Sequence, residues 1–152
     1  MASGTAARRF PKDTEFAEAF LKHPQYGRGT TRFILIRLEK SFGHKEEVNL
    51  AKATIEHLLP QSLSPEWRNE LGANAEEIHT TLINTFGNLT LTAYNAELGN
   101  LPFTDKKAKL ENTHIELNRW ILQQANWRAT EIEERANHLL RKANQIWAGP
   151  VS

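Results

Sequence analysis

The chain has 152 residues, a length that suits one domain, and its 39% hydrophobic and 24% charged residues are ordinary for a globular protein. Because it contains no cysteine, disulfides, thiolate catalysis and cysteine-ligated zinc are excluded, and a reducing cytoplasm is the expected compartment. The net charge of +1 gives no global signature of polyanion binding, and no apolar run approaches the roughly 20 residues of a membrane span.

The N-terminal third is predicted to be helical up to a short strand. Residues 1–9 lack the apolar stretch of a secretory signal, so we interpret them as a disordered leader or an artificial chain boundary. A short helix should begin at Asp13, which can act as its N-cap. A second helix is predicted from about Thr30 to Phe42, and residues 49–58 are typical of a strand.

Turn residues divide the middle of the chain into further elements. Ser64-Pro65 combines an N-cap with a proline at the first helical position, and Gly72 should end the helix that follows. Asn74 begins another predicted helix, which Gly87 should end. The alternation of polar and apolar residues over 88–92 predicts a second short strand.

The C-terminal third is predicted to be helical. Thr113 with Glu116, and Thr130 with Glu133, have the spacing of capping boxes. The last helix carries an apolar stripe at spacings of three and four, which indicates a core-facing surface: Ile132, Ala136, Leu139, Ala143 and Ile146. The fold class is therefore mainly α with one small two-stranded element, which must pack between helices because a lone ribbon is marginal in water.

Charge is distributed unevenly along the chain. The balance of Lys/Arg over Asp/Glu is +4 in residues 1–52, −6 in 53–105 and +3 in 106–152. An acidic centre with basic flanks could hold a cation in the middle and phosphates at the edges. The alternative is that these charges only solvate exposed helix faces.

Side chains suited to phosphodiester hydrolysis cluster around the two predicted strands. Glu56 and His57 end the first strand, Asn88 begins the second, Asn95 lies just beyond it, and Lys106-Lys107 follow the next turn. An imidazole is the natural general base near neutral pH, and carboxylate and amide oxygens are ligands for Mg²⁺ or Mn²⁺. An asparagine can also orient the imidazole. These residue types are sufficient for a nuclease that uses one metal ion.

Each of these residues also has an ordinary structural explanation. A Glu-His pair is commonly a surface feature, Asn88 after a glycine suits a turn, Asn95 could cap a helix, and two lysines could begin a solvated helix. Strict strand alternation would send Glu56 and His57 to opposite faces, unless the backbone turns before Pro60.

A family resemblance runs through the same residues. Residues 55–61, Ile-Glu-His-Leu-Leu-Pro-Gln, resemble the His-Xaa-Xaa-Pro signature of the HNH-like domain at the C-terminal end of GmrSD-type modification-dependent restriction enzymes. The resemblance covers roughly residues 10–150 and continues through separate motifs at 66–68, 79, 87–95, 100–107, 131–136 and 146–147.

The resemblance implies a fold and roles for individual residues. The fold would be a ββα-metal core within a helical bundle, in one domain over 10–150, with N-terminal helices in 10–48, the core with a helical insertion in 49–107, and C-terminal helices in 108–148. The implied roles are the following: His57 is the general base, Asn88 orients it, Asn95 is a metal ligand, Glu56 stands at a ligand position, and Lys106 or Lys107 contacts DNA phosphate. His79, on the helix before the second strand, is expected to have a structural or a phosphate-contacting role. Neutral amides bind cations weakly, so Mg²⁺ or Mn²⁺ is expected rather than zinc.

The resemblance also implies a biological context. The expected activity is metal-dependent DNA cleavage by the effector domain of a modification-sensing anti-phage restriction system. Its partner would be a ParB-like nucleotide-hydrolysing sensor domain in the same or another chain, since no P-loop pattern occurs in this one. The alternatives are a DNA-binding module that has lost the chemistry, or a helical domain that docks the sensor.

Overall fold

The computed structural model describes residues 13–43, 50–92 and 98–147, so the predicted leader at 1–9 lies outside the described residues. The elements follow in chain order: α1 (Asp13–Lys22), α2 (Thr31–Lys40), β1 (Thr54–His57), α3 (Pro65–Leu71), α4 (Ala75–Leu82), β2 (Leu89–Thr92), α5 (Phe103–Leu110), α6 (Arg119–Leu122) and α7 (Ala129–Trp147). Short 3₁₀ turns at Phe86–Asn88 and Glu116–Asn118 precede β2 and α6. The mainly helical fold with one small antiparallel sheet is confirmed. Within the described part of the chain, no helix is long and apolar enough to cross a membrane.

The two strands pair antiparallel, although α3 and α4 lie between them in sequence. The register joins Thr54 to Thr92 at one end and His57 to Leu89 at the other. All four residues of β2 are buried. The buried hydroxyl of Thr90 donates to Asn118 Oδ1 at 2.5 Å, so its burial leaves no unpaired polar atom at that position. The sheet therefore lies inside the helical fold and presents the end of β1, with His57, next to the inserted helices.

Two hydrophobic clusters form the core, and α7 contributes to both. One cluster contains Leu139 and Ala143 of α7 with residues of α1, α2 and β2, and the other contains Ile132 of α7 with residues of α3, α4, α5 and α6. The predicted stripe on the last helix is confirmed, because its first four members are buried and Ile146 packs against the core. Trp67 and Trp127 are buried in the second cluster, where their large rings pack against its other members.

The entry to β2 is attached directly to α7. Arg135 is completely buried and donates hydrogen bonds to the carbonyls of Phe86, Gly87 and Leu89 at 3.2, 3.1 and 2.7 Å. Burial lowers the pKa of Arg135 to about 9. A Cβ atom added to Gly87 would lie 2.1 Å from the Ile132 carbonyl oxygen. The prediction that Gly87 ends a helix was wrong: α4 ends at Leu82, and Gly87 permits a close approach of backbones.

Helix starts were predicted with mixed success. Ser64 caps α3 through a hydrogen bond from the Trp67 N–H, as predicted. The predicted capping box at Thr130 was wrong by two residues. The last helix, α7, begins at Ala129, and Glu131 accepts a hydrogen bond from the Arg128 N–H. The Thr113 box was also wrong, because the buried carboxylate of Glu39 accepts the N–H groups of Glu116 and Leu117, both at 2.8 Å. A side chain 77 residues away in sequence therefore replaces the local cap.

Candidate active site

A cleft of about 150 Å³ opens at the end of β1. Its walls come from the loop after α1, from β1 and the segment that follows it, and from the turn before α5: Tyr26, Ile55, Glu56, His57, Pro60, Gln61, Gly99 and Asn100. Pockets that enclose drug-sized ligands measure roughly 300–1,000 Å³. The smaller volume suits a phosphate group with water, and two predicted site residues, Glu56 and His57, lie in its wall.

The His57 imidazole is held by one hydrogen bond. Its Nε2 lies 2.9 Å from Oδ1 of Asn84, and an amide oxygen only accepts, so Nε2 carries the hydrogen and Nδ1 carries the lone pair. Among the described residues, none makes a hydrogen bond to Nδ1. Burial lowers the pKa of His57 below its ordinary value of 6.5; the Asn84 bond opposes this, and the positive charges of Lys106 and His79 add to it. Burial therefore favours the neutral form of the ring, which is the form that a general base needs.

Tyr26 packs against the edge of the imidazole. The two ring centroids are 4.4 Å apart and the ring planes meet at 69°. The loop that carries Tyr26 is fixed by the Asn84 carbonyl, which accepts the N–H groups of Gln25 at 2.6 Å and Tyr26 at 3.2 Å. Asn84 therefore contacts His57 with its side chain and holds the neighbouring loop with its backbone.

Glu56 forms a buried ion pair with Lys106. The Lys106 ammonium donates to Glu56 Oε2 and to the His57 carbonyl oxygen, both at 2.7 Å, and its side chain is 0% exposed. Burial raises the pKa of Glu56 and lowers that of Lys106, and in each case the charge of the partner opposes the shift. This placement disagrees with the predicted phosphate contact of Lys106, because the ammonium faces the protein interior.

Two other predicted DNA contacts also make bonds within the protein. Half-buried Lys107 donates to the Gln124 carbonyl at 2.7 Å and lies 5.4 Å from the centroid of the Phe103 ring. His79 on α4 donates from Nε2 to the Pro60 carbonyl at 2.8 Å. The Lys107 contact fixes α5 to the segment after α6, and the His79 contact fixes α4 to Pro60 in the wall of the cleft.

Asn88 holds the backbone after His57 rather than the imidazole. Its side chain is fully buried; Oδ1 accepts from the Leu59 N–H at 2.7 Å and the Trp127 indole at 3.0 Å, and Nδ2 donates to the carbonyls of Leu59 and Ile83 at 2.9 Å each. These four bonds use both donors and both lone pairs of the amide. The amide beside the imidazole is that of Asn84, not Asn88.

The described residues do not by themselves fit a divalent metal ion. Among them, no three His, Asp or Glu side chains lie close enough together to hold one. Among the described residues of the cleft wall, Glu56 supplies the one carboxylate, and its Oε2 is bound to Lys106. The expected ligand Asn95 lies outside the described residues.

Comparison with known families identifies the chain. Residues 10–142 match the family model described as the C-terminal domain of GmrSD restriction endonucleases, which is most of the chain. The chain belongs to this family. A comparison with curated proteins found no match. Membership implies that this GmrSD C-terminal domain serves the nuclease activity of a restriction endonuclease, and the matched region contains the whole wall of the cleft.

Asn84 and Tyr26 also contact the imidazole of His57, although no sequence motif predicted either residue. Asn84 stands in Ile83-Asn84-Thr85, where no motif marks it, and Tyr26 stands in a helix break. A signal for the burial of Lys106 was present, because Phe103, Lys106 and Leu110 recur at spacings of three and four on one face of α5. A lysine on an apolar face indicates a buried partner of opposite charge.

Proposed function

We propose that this GmrSD C-terminal domain is an HNH-type DNA endonuclease in which His57 is the general base. The observation that carries the proposal is the His57 imidazole in the wall of the cleft of about 150 Å³, with Nε2 held by Asn84 and Nδ1 without a bonded partner among the described residues. A base in this state can accept a proton from water at physiological pH.

The residues of the cleft support one hydrolytic step. A water molecule attacks the phosphorus while one of its O–H bonds breaks and the proton passes to Nδ1 of His57. A new P–O bond forms, the P–O bond to the leaving oxygen breaks, and the leaving oxygen takes a proton from solvent. Asn84 Oδ1 then faces the N–H of an imidazolium and stabilises its charge.

A requirement for a divalent cation is a separate part of the proposal. It rests on the family resemblance and on the oxygen donors of Glu56 and Asn95, which favour Mg²⁺ or Mn²⁺ over zinc. Glu56 is paired with Lys106 among the described residues. The hydrolytic step is therefore assigned to His57 and Asn84 alone, without a role for the ion. The proposed substrate is DNA, and the proposed partner is a ParB-like sensor domain, in the same or another chain, of a modification-sensing anti-phage system.

A second candidate function is an inactive DNA-binding or partner-docking module. The Glu56–Lys106 ion pair favours it, because a carboxylate already neutralised by a lysine is a poor metal ligand. A measurement of DNA cleavage distinguishes the endonuclease from the inactive module.

The test is a plasmid-nicking assay of the whole chain with Mg²⁺, with Mn²⁺ and with a chelator, comparing wild type with His57→Ala. Nicking by the wild type should need the metal, and His57→Ala should slow it by about 10²- to 10⁴-fold with an unchanged circular dichroism spectrum. His23→Ala is the matched control, because His23 is exposed and lies outside the cleft. Full activity of His57→Ala would contradict the proposal, and a wild type that neither nicks DNA nor binds Mn²⁺ would support the inactive module.

A further inference from the structure

We propose that Asn84 is a positioning residue for the general base, and that it selects the tautomer of His57 with the hydrogen on Nε2 and the lone pair on Nδ1. The inference rests on the proposed function of His57 and deepens it. It assigns the orienting role to a residue outside the Gly87–Asn95 motif and names Nδ1 as the atom that takes the proton.

The side chain of Asn84 meets the imidazole through an acceptor. Oδ1 lies 2.9 Å from His57 Nε2, and a carbonyl-type oxygen can bond that nitrogen only when it carries hydrogen. A neutral imidazole has one hydrogen, so the bond favours one of its two tautomers. Without this acceptor, both tautomers would be populated and part of the protein would present an N–H where the base needs a lone pair.

The backbone of Asn84 is fixed independently of its side chain. Thr85 Oγ1 donates to the Leu82 carbonyl at 2.9 Å, and the Ile83 carbonyl accepts from Asn88 Nδ2 at 2.9 Å. The Asn84 carbonyl itself holds the N–H groups of Gln25 and Tyr26. Replacing the side chain therefore leaves these backbone bonds possible and removes the bond to His57.

Tyr26 completes the positioning from a second side. Its ring lies edge-on to the imidazole at 4.4 Å, and its N–H is bonded to the Asn84 carbonyl. Rotation of the imidazole away from Oδ1 is therefore opposed by packing as well as by the hydrogen bond. One residue between α4 and β2 thus links the base to the α1–α2 loop.

Asn88, the other asparagine that could orient the imidazole, makes its hydrogen bonds elsewhere. The Asn88 amide has both donors and both lone pairs engaged by Leu59, Ile83 and Trp127. It cannot orient the imidazole without breaking a bond to a buried partner. Asn84 bonds the ring directly in the folded protein.

The tautomer is measured by NMR on the whole chain with ¹⁵N-labelled histidine rings, at about pH 8 where an ordinary imidazole is neutral. Wild type should show a protonated Nε2 and an unprotonated Nδ1 for His57. Asn84→Ala should show both nitrogens averaged between the two states. Asn84→Asp, which keeps an acceptor, should retain the wild-type pattern. Asn137→Ala is the matched control, since Asn137 is an exposed asparagine on α7.

The kinetic arm uses the same variants in the nicking assay. Asn84→Ala should lower kcat by about 10- to 100-fold and leave KM within about twofold, because positioning the base acts on the chemical step. Asn84→Asp should recover most of the loss. If Asn84→Ala fails to fold, Asn84→Leu supplies a similar volume without an acceptor and takes its place.

The outcomes separate this inference from the proposed function. If His57→Ala remains active, the proposed function fails, whatever Asn84 does. If His57→Ala is inactive while the acceptor-free Asn84 variant keeps both the wild-type kcat and the wild-type tautomer, the positioning role is overturned. If the isolated domain does not cut DNA at all, an unchanged tautomer in that variant still overturns the inference.

Discussion

Lys106 and Glu56, 50 residues apart in sequence, form an ion pair of 2.7 Å that is almost entirely shielded from solvent. The same ammonium holds the carbonyl oxygen of His57, so the pair is joined to the backbone of the proposed base. Removing one partner of a buried ion pair leaves the other as an uncompensated charge. The pair therefore links the stability of the fold to the position of the site.

Lys106→Met should destabilise the domain by about 3–5 kcal/mol, because it strands the buried Glu56 carboxylate. The double variant Glu56→Gln with Lys106→Met should recover a large part of that loss. The free energy of unfolding in urea measures both effects, with the exposed Lys52→Met as the matched control. A single variant as stable as the control would show that the ion pair does not form in solution.

The rate of DNA cleavage should fall on the acid side with a midpoint below 6.5, the ordinary pKa of histidine. Burial lowers the pKa of His57, so the neutral base persists to lower pH than in an exposed histidine. The same shift acts on stability: the contribution is present above 6.5, the pKa of the unfolded chain, and is lost as the pH falls through the lower pKa of the folded state. Rates and unfolding free energies between about pH 5 and 8 test both signs. A midpoint above 6.5 would contradict the expected direction.

Gly87→Ala should destabilise the domain by about 1–3 kcal/mol or more, because its new Cβ would lie 2.1 Å from the backbone oxygen of Ile132. Two backbones must separate to admit the methyl group, and the attachment of β2 to α7 would loosen. Gly29→Ala is the control, because no atom lies within 4 Å of a Cβ at that position. Equal thermal unfolding midpoints for the two variants would argue against the close packing of the 86–88 turn on α7.

Asn88→Ala should cost stability and activity together, unlike the acceptor-free Asn84 variant. It would leave buried groups of Leu59 and Trp127 without partners, at about 1–3 kcal/mol for each unsatisfied group. Thermal unfolding should show a lower midpoint for Asn88→Ala than for Asn84→Ala. If instead Asn88→Ala were as stable as the wild type and lost only kcat, Asn88 would act on the base directly.

The local chemistry of the sequence was enough to predict most of the secondary structure. Ser64 before a proline caps α3 because both residues act within one turn, and the stripe on α7 follows from helical periodicity alone. The alternation over residues 88–92 located β2 to within one residue. The resemblance around the His-Xaa-Xaa-Pro motif likewise predicted roles for Glu56 and His57, which line the same cleft.

The partners of those side chains were decided only by the tertiary structure. Asn84 and His57 are 27 residues apart, Asn88 and Trp127 are 39 apart, and Glu56 and Lys106 are 50 apart. Hydrogen bonds over such separations depend on how helices pack, and no local pattern in the sequence encodes them. The sequence by itself determined which residues could perform the chemistry. Packing decided that Asn84 bonds the imidazole, that Asn88 holds the backbone, and that Lys106 is buried against Glu56, because a buried polar group must find its partner wherever the fold brings one within reach.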